Sequence, residues 1–389
     1  MPQVRGRVNL EPLPIDTVES ALPQLSALLE GAAPPWLPVP AHDPREAERL
    51  TGALAAGSPI DERAALVVAT SGTTGTPKGA MLTRAALVAS AAGTHARLGG
   101  PGQWLLAMPP YHVAGVQVML RSLAAGHAPA QVDVRAGFDP TALAGAHARM
   151  TADRRYVSLV PTQLVKVLAD PAATEALARF DGVLIGGAAC PAPVREAALA
   201  AGIRMVRTYG MSETAGGCVY DGAPLPGVRI RLDGPQSRVV LGGPTVALGY
   251  RNLPEHPAFA EPGWFRTDDA GTLTDGVLTV TGRLDEAIST GGLTVLPQVV
   301  EEVLARVPGV SEVAVFAQPD PRLGQRVAAA VVPAQGAEVT VELLRAAVEA
   351  ELDRTAAPRA LYLVDELPRR GPGKIDRGAL AAQITNIHG

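Results

Sequence analysis

Between residues 64 and 206, short apolar runs alternate with helix-like stretches, and this rhythm limits the possible folds more than any other feature of the chain. The runs 64–69, 103–108, 157–160 and 183–185 read as strands, and 113–125, 161–169 and 193–201 read as helices, with another starting near Arg84. Strands without polar alternation are buried on both faces, which calls for a parallel sheet covered by helices. The texture changes at 227–281, where short strands at 228–232, 238–241 and 277–280 are punctuated by Gly, Pro and Asp. That pattern suits an antiparallel sheet or a small barrel. After residue 285 a third pattern begins: helices at 297–306, 341–352 and 378–384, and strands at 310–316, 326–332 and 360–364. The expected architecture is α/β: a large unit over 1–284, with parallel α/β sheets and a small β-barrel-like subdomain, and an α+β unit over 285–389. The first 60 residues read as helices at 15–31 and 44–57, separated by a proline-rich break at 34–38.

Composition removes several classes of function. The 34 basic and 38 acidic residues nearly cancel, at −4, so neither nucleic-acid binding by bulk charge nor a polybasic membrane anchor is expected. Two cysteines, Cys190 and Cys218, make neither a disulfide framework nor a zinc site. No apolar leader is visible at the N-terminus, and the longest apolar stretches, such as 327–333, are far shorter than a membrane helix. A cytoplasmic protein without membrane insertion is expected. The 34 basic residues include only three lysines, at 78, 166 and 374. Lysine is a slim point charge and arginine a planar fork, so a lysine kept in so arginine-rich a chain points to a task that arginine does poorly.

The loop 70–79, Thr-Ser-Gly-Thr-Thr-Gly-Thr-Pro-Lys-Gly, follows a buried strand. Its glycines let backbone N–H groups approach an anion, its hydroxyls donate hydrogen bonds, and Lys78 neutralises charge. This is the chemistry of a triphosphate cradle, although the spacing is not that of the common P-loop. On composition alone, a plain Gly/Thr surface loop remains the other reading.

The loop resembles the phosphate loop of the adenylate-forming acyl-CoA synthetases, and it does not stand alone. Tyr209-Gly210-Met211-Ser212-Glu213-Thr214, Gly242-Gly243-Pro244 through Gly249-Tyr250, Trp264 to Asp269, Gly282 to Glu286, and Pro368 to Ile375 resemble the later motifs of that family, in the same order. The resemblance implies two half-reactions. A carboxylate attacks the α-phosphate of ATP and releases pyrophosphate; then a thiol, usually that of coenzyme A, displaces AMP. It implies that Ser71, Thr73, Thr74 and Lys78 hold the outer phosphates. Glu213 would ligate Mg²⁺ and Ser212 would donate to the α-phosphate. Thr208, Tyr209, Gly210 and Met211, with Gly186, Gly187 and Ala188, would line the adenine and acyl sites. Asp269 would take the ribose hydroxyls, with Arg283 as a second ribose or phosphate contact; Asp268 stands where the family usually has glycine. Lys374 would bridge carboxylate and α-phosphate. Asp285 would be the hinge of a mobile C-terminal domain, and Gly291 and Gly292 would line the coenzyme A path. Ser289 and Gln298 depart from the commonest residues, Lys and Glu. The implied partners are a small carboxylate, ATP and coenzyme A, with a homodimer left open. The loop begins at residue 70, so the N-terminal part is expected to be compressed relative to many members.

The acyl segments around His112, Arg121, Thr162, Gln163 and Gly187 resemble the o-succinylbenzoate–CoA ligases of menaquinone synthesis. Such a substrate carries a second carboxylate and a ketone, and His112, Arg121, Thr162 and Gln163 are the groups that can meet them. Another aryl or acyl carboxylate, or a carrier-protein thiol, is the alternative expectation.

Overall fold

The computed structural model describes residues 8–70, 76–370 and 374–388. Ser71, Thr73 and Thr74, and residues 371–373 before Lys374, lie outside the described residues.

The strand–helix rhythm produces the expected parallel sheet. Its strands run in the order Ala223–Pro224, Gly216–Tyr220, Met205–Met211, Gly182–Ile185, Arg155–Leu159, Gln103–Leu106 and Ala130–Gln131. The last five are parallel, and Gly216–Tyr220 turns back antiparallel to Met205–Met211. One face is packed by the helices Arg84–Arg97 and Val113–Ala124 around Trp104 and Tyr156, and the other by Ala142–Arg149, Pro161–Leu168 and Pro171–Ala178 around Leu159 and Phe180.

The N-terminal region differs from the sequence expectation. The helices form, as Val18–Glu30 and Pro44–Ala53, the first capped by the Thr17 hydroxyl and closed by Gly31 at φ 79°. The presumed break, however, is a strand. Glu11–Ile15, Trp36–Pro40 and Ala64–Thr70 form a parallel sheet, and Lys78–Thr83 adds an antiparallel fourth strand where the sequence suggested only loop. Alternation explains why the prolines are tolerated. Glu11 N–H donates to Pro35 O (2.9 Å) and Ile15 O accepts from Ala41 N–H (3.1 Å), so Pro12 and Pro14 face the outer edge. Pro38 and Pro40 face the side on which pairing with Ala64–Thr70 is confined to Trp36↔Leu66.

The next unit is an antiparallel meander: Arg229–Asp233, Arg238–Gly242, Trp264–Thr274 and Val277–Arg283. It is an open sheet and not a closed barrel. Its last strand touches the seven-stranded sheet at one point, where Leu278 N–H donates to O of Gly222, in the turn before Ala223–Pro224, at 2.8 Å. Beyond it, Leu293–Val295, Ile288–Thr290, Gly324–Pro333, Val310–Asp320 and Ala360–Leu363 form a further sheet with the helices Pro297–Leu304, Val341–Glu351 and Arg377–His388. Two apolar clusters draw only on residues between Ile288 and Ile384, and the others only on residues between Leu10 and Leu278. No helix among the described residues is long and apolar enough to cross a membrane.

Candidate active site

Four of the segments singled out in the sequence leave the same edge of the parallel sheet. Strand Gln103–Leu106 leads to His112, Arg155–Leu159 to Thr162 and Gln163, Gly182–Ile185 to Gly186–Ala188, and Met205–Met211 to Ser212 and Glu213. The carboxyl ends of parallel strands are where α/β folds gather their chemistry. Gly186 must be small, because a Cβ there would lie 2.2 Å from Thr208 Oγ1. Gly210 is as tight, and against backbone: its Cβ would lie 2.2 Å from Gly216 O and 2.6 Å from Gly217 Cα.

Glu213 sits in a single 3₁₀ turn, Ser212–Thr214, and is 7% exposed. Tyr250 Oη donates to Glu213 Oε1 at 2.5 Å, and Ala247 N–H donates to Glu213 O at 2.9 Å. Burial pushes the Glu213 carboxyl above its ordinary range. The Tyr250 hydroxyl opposes that rise, as do the charges of Lys78 and Lys374. The Tyr250 ring also lies beneath Lys78, with Nζ 4.8 Å from its centroid. Residues 248–252 grip the strand that follows the phosphate loop: Arg251 N–H donates to Gly79 O (2.7 Å), and Asn252 bonds both Pro77 O and Gly79 N–H. Tyr250 therefore places a buried carboxylate and a lysine on either side of one ring.

A second buried carboxylate, Asp269, accepts from Tyr209 Oη at 2.6 Å. Arg283 Nη1 stands 3.5 Å from its Oδ1, while the same guanidinium forks onto Asp285 at 2.8 and 2.7 Å. Burial raises the Asp269 carboxyl, and the Tyr209 hydrogen bond, Arg283 and Lys374 counter it. Asp268 is exposed: it pairs with Arg238 at 2.9 Å, lies 3.9 Å from Arg283 Nη2, and lines a pocket with Lys78 and Tyr250. Lys374 opens the short strand Lys374–Ile375, and its charge helps to lower the carboxyls of both Glu213 and Asp269.

The acyl-side residues divide into two groups. His112 ends the approach to helix Val113–Ala124 beside Tyr111, and burial lowers its pKa, keeping the ring neutral at pH 7. Gln163 is buried and holds two backbone groups, Val160 N–H at 2.9 Å and Ala107 O at 2.7 Å; Thr162 is half-buried beside it. Arg121 is 4% exposed, lies over the Trp104 ring at 5.2 Å, and its Nε has no hydrogen-bond partner among the described residues. One turn earlier, Gln117 is 0% exposed and neither amide atom has a partner. Both approach Gly216, three residues after Glu213; a Cβ on Gly216 would lie 3.3 Å from Gln117 Cγ and 4.0 Å from Arg121 Nη2. Gly291 and Gly292 form an exposed turn between Ile288–Thr290 and Leu293–Val295, with Gly291 N–H bonded to Leu323 O.

No role for Tyr250, Gln117 or Arg377 was legible in the sequence. Tyr250 was visible as part of a motif, and Gln117 stands at the i−4 position from Arg121, but their partners are distant in the chain or absent.

A parallel sheet whose strand ends gather two buried carboxylates and lysines from both ends of the chain defines an AMP-binding enzyme, and the chain belongs to that family. The model of the AMP-binding enzymes matches residues 14–251, and the model of their C-terminal domain matches 299–374. The chain is 58% identical over 368 residues to the probable 2-succinylbenzoate–CoA ligase of Mycobacterium tuberculosis (strain ATCC 25618 / H37Rv), covering 93% of this chain and 94% of that one. It is 34% identical to the 2-succinylbenzoate–CoA ligase of Geobacillus sp. (strain WCH70), covering 83% of this chain and 69% of that one. Among solved structures, wild-type E. coli MenE with a bound m-phenylether-linked analogue of OSB-AMS superposes with TM-score 0.76 at 28% identity, covering 99% and 90% of the two chains.

Proposed function

We propose that this AMP-forming acid–thiol ligase converts o-succinylbenzoate, ATP and coenzyme A to the acyl-CoA thioester, AMP and pyrophosphate, in the cytoplasm and as a step of menaquinone synthesis. The observation that carries the substrate choice is the Arg121–Gln117 pair. A guanidinium 4% exposed, with no carboxylate partner among the described residues, costs several kcal/mol in desolvation. An anionic group of the substrate, held beyond the reacting centre, offsets that cost; a fatty acyl chain does not. The names of the relatives from Mycobacterium and Geobacillus agree with this choice.

In the first half-reaction a carboxylate oxygen attacks the α-phosphorus and the bond to pyrophosphate breaks. A carboxylate has no good leaving group; the adenylate supplies one. The chain's task is to position groups and stabilise charge. Lys78, with Ser71, Thr73 and Thr74 of the loop, holds the outer phosphates. Asp269 keeps lone pairs free for the ribose hydroxyls while Tyr209 and Arg283 fix its plane, and the adenine lies along Tyr209 and Gly186–Ala188. Ser212 donates to the α-phosphate. Lys374 bridges the attacking carboxylate and the α-phosphate.

Among the described residues no cluster of three or more His, Cys, Asp or Glu is present. Glu213 offers one carboxylate, which suits Mg²⁺, an ion that keeps several waters and takes its other oxygens from phosphates. When bound, Mg²⁺ supplies charge neutralisation of the triphosphate. Residues 1–284 and 285–389 act as two domains hinged at Asp285; the second turns after adenylation, withdrawing Lys374 and bringing the Gly291-Gly292 turn to the coenzyme A path. The thiolate then attacks the acyl carbon and AMP leaves.

The test is a pyrophosphate-release assay comparing o-succinylbenzoate with benzoylpropionate, which is the same molecule without its ring carboxylate, and with a medium-chain fatty acid. Strong preference for o-succinylbenzoate is expected. Equal or better turnover of the fatty acid refutes the substrate assignment.

A further inference from the structure

We propose that Gln298 and Arg377 are positioning residues that hold Lys374 at the adenylation site through one polar chain running across the hinge. The chain starts at the backbone before Asp285. Arg283 N–H donates to Gln298 Oε1 at 3.2 Å, and Gln298 Nε2 donates to Glu286 Oε2 at 2.6 Å. The same oxygen of Glu286 accepts from Arg377 Nη1 at 2.6 Å. Arg377 also contacts both oxygens of Glu301 through Nη2, at 2.6 and 2.7 Å, and donates to Val315 O through Nε at 2.9 Å. Side-chain exposure is 14% for Glu286 and 15% for Arg377 and Glu301, so these bonds are largely shielded from water.

Arg377 opens helix Arg377–His388, three residues after Lys374. Asp376 N–H closes the base of the hairpin onto Pro368 O at 2.8 Å. The backbone that carries Lys374 is therefore tied, through one guanidinium, to the residue that follows the hinge. The chemistry at 298 is specific. In this chain, where family members commonly carry Glu, the side chain accepts at one atom and donates at the other, and an amide does both. A glutamate there would set a second carboxylate 2.6 Å from Glu286. Gly282 makes room for the contact: a Cβ on it would lie 2.5 Å from Gln298 Oε1. The inference rests on the proposed hinge, since turning the residues beyond Asp285 parts Gln298 from the Arg283 backbone. Gln298 thus favours the orientation in which Lys374 faces Glu213 and Asp269.

The experiment uses the full chain and whichever carboxylate it adenylates best, so failure of the o-succinylbenzoate assignment and failure of this inference are separate results. Gln298→Glu is compared with wild type in single-turnover pyrophosphate release, and in thioester formation from pre-made acyl-adenylate. The first is expected to fall about 30-fold, in the range of a lost charge-assisted hydrogen bond, and the second to change less than about 3-fold. Gln298→Met removes both hydrogen bonds of this side chain without adding charge, and is expected to give the same split between the half-reactions with a smaller fall in the first. A merely structural role predicts otherwise: equal losses in both half-reactions, or wild-type adenylation in both variants, overturn the inference.

Discussion

Tyr250→Phe isolates one atom of the site. It removes the hydroxyl that donates to Glu213 at 2.5 Å and keeps the ring under Lys78. Tyr250 is 2% exposed and Glu213 7%, so water does not readily replace the lost donor. A hydrogen bond to a charged group contributes about 1.5–3 kcal/mol, and one between neutral groups about 0.5–1.5 kcal/mol. The sign of the pH dependence follows. Burial already holds the Glu213 carboxyl above its ordinary range, so ionising it in the folded state costs stability as pH rises through that raised value. Without Tyr250 Oη the carboxyl rises further and ionisation costs more. The gap between variant and wild type is therefore small where Glu213 is protonated and widens with pH. At about 2–4 °C per kcal/mol, the full gap is roughly 3–12 °C in Tm. The assay is thermal unfolding of both proteins from about pH 5 to 8, alongside the acid limb of pyrophosphate release, which should move to higher pH in the variant. A Tm gap that stays constant across that range would refute the claim that Tyr250 supports the ionised form of Glu213.

Lys374→Ala is expected to slow adenylation by about 100-fold or more, the scale of a lost charge-stabilising donor, and to leave thioester formation from pre-made acyl-adenylate nearly intact; separate half-reaction assays check this. Gly210→Ala drives a Cβ to 2.2 Å from Gly216 O and 2.6 Å from Gly217 Cα, both backbone, so a loss of at least about 2 kcal/mol is expected, read as a fall in the denaturation midpoint. Burial pushes the Cys190 thiol up to about 11 and the Cys218 thiol up to about 12. Neither should react with a thiolate-selective reagent at pH 8 in the native protein, and both should react after unfolding, as a mass-spectrometric count would show.

What the sequence disclosed follows physical range. The parallel strands were legible because burial on both faces writes itself into consecutive residues. Lys78–Thr83 was hidden because its first residues complete a Gly- and Thr-rich loop, and Trp36–Pro40 because proline usually ends a strand. Alternation confines its effect here to one side, which no local pattern reveals. Glu213 and Asp269 were visible as motif carboxylates. Their partners were less so: Tyr250 lies 37 residues from Glu213, and Tyr209 lies 60 from Asp269. Arg377 reaches Glu286 across 91 residues. Arg121 was chosen for its charge, but that it is buried beside an equally unpaired Gln117 is a fact of packing.

The prolines of the first sheet also bear on how copies of this chain can meet. An exposed outer strand normally offers alternate N–H groups and carbonyls to any passing chain. On Glu11–Ile15 the outward positions after Leu10 are Pro12 and Pro14, and the N–H of Leu10 is already given to Ser58 O at 3.1 Å. The border therefore presents carbonyls without donors, and a second sheet cannot zip onto it. A homodimer formed at this face would have to be held by side chains, so its specificity could be changed by surface substitution without touching the strand.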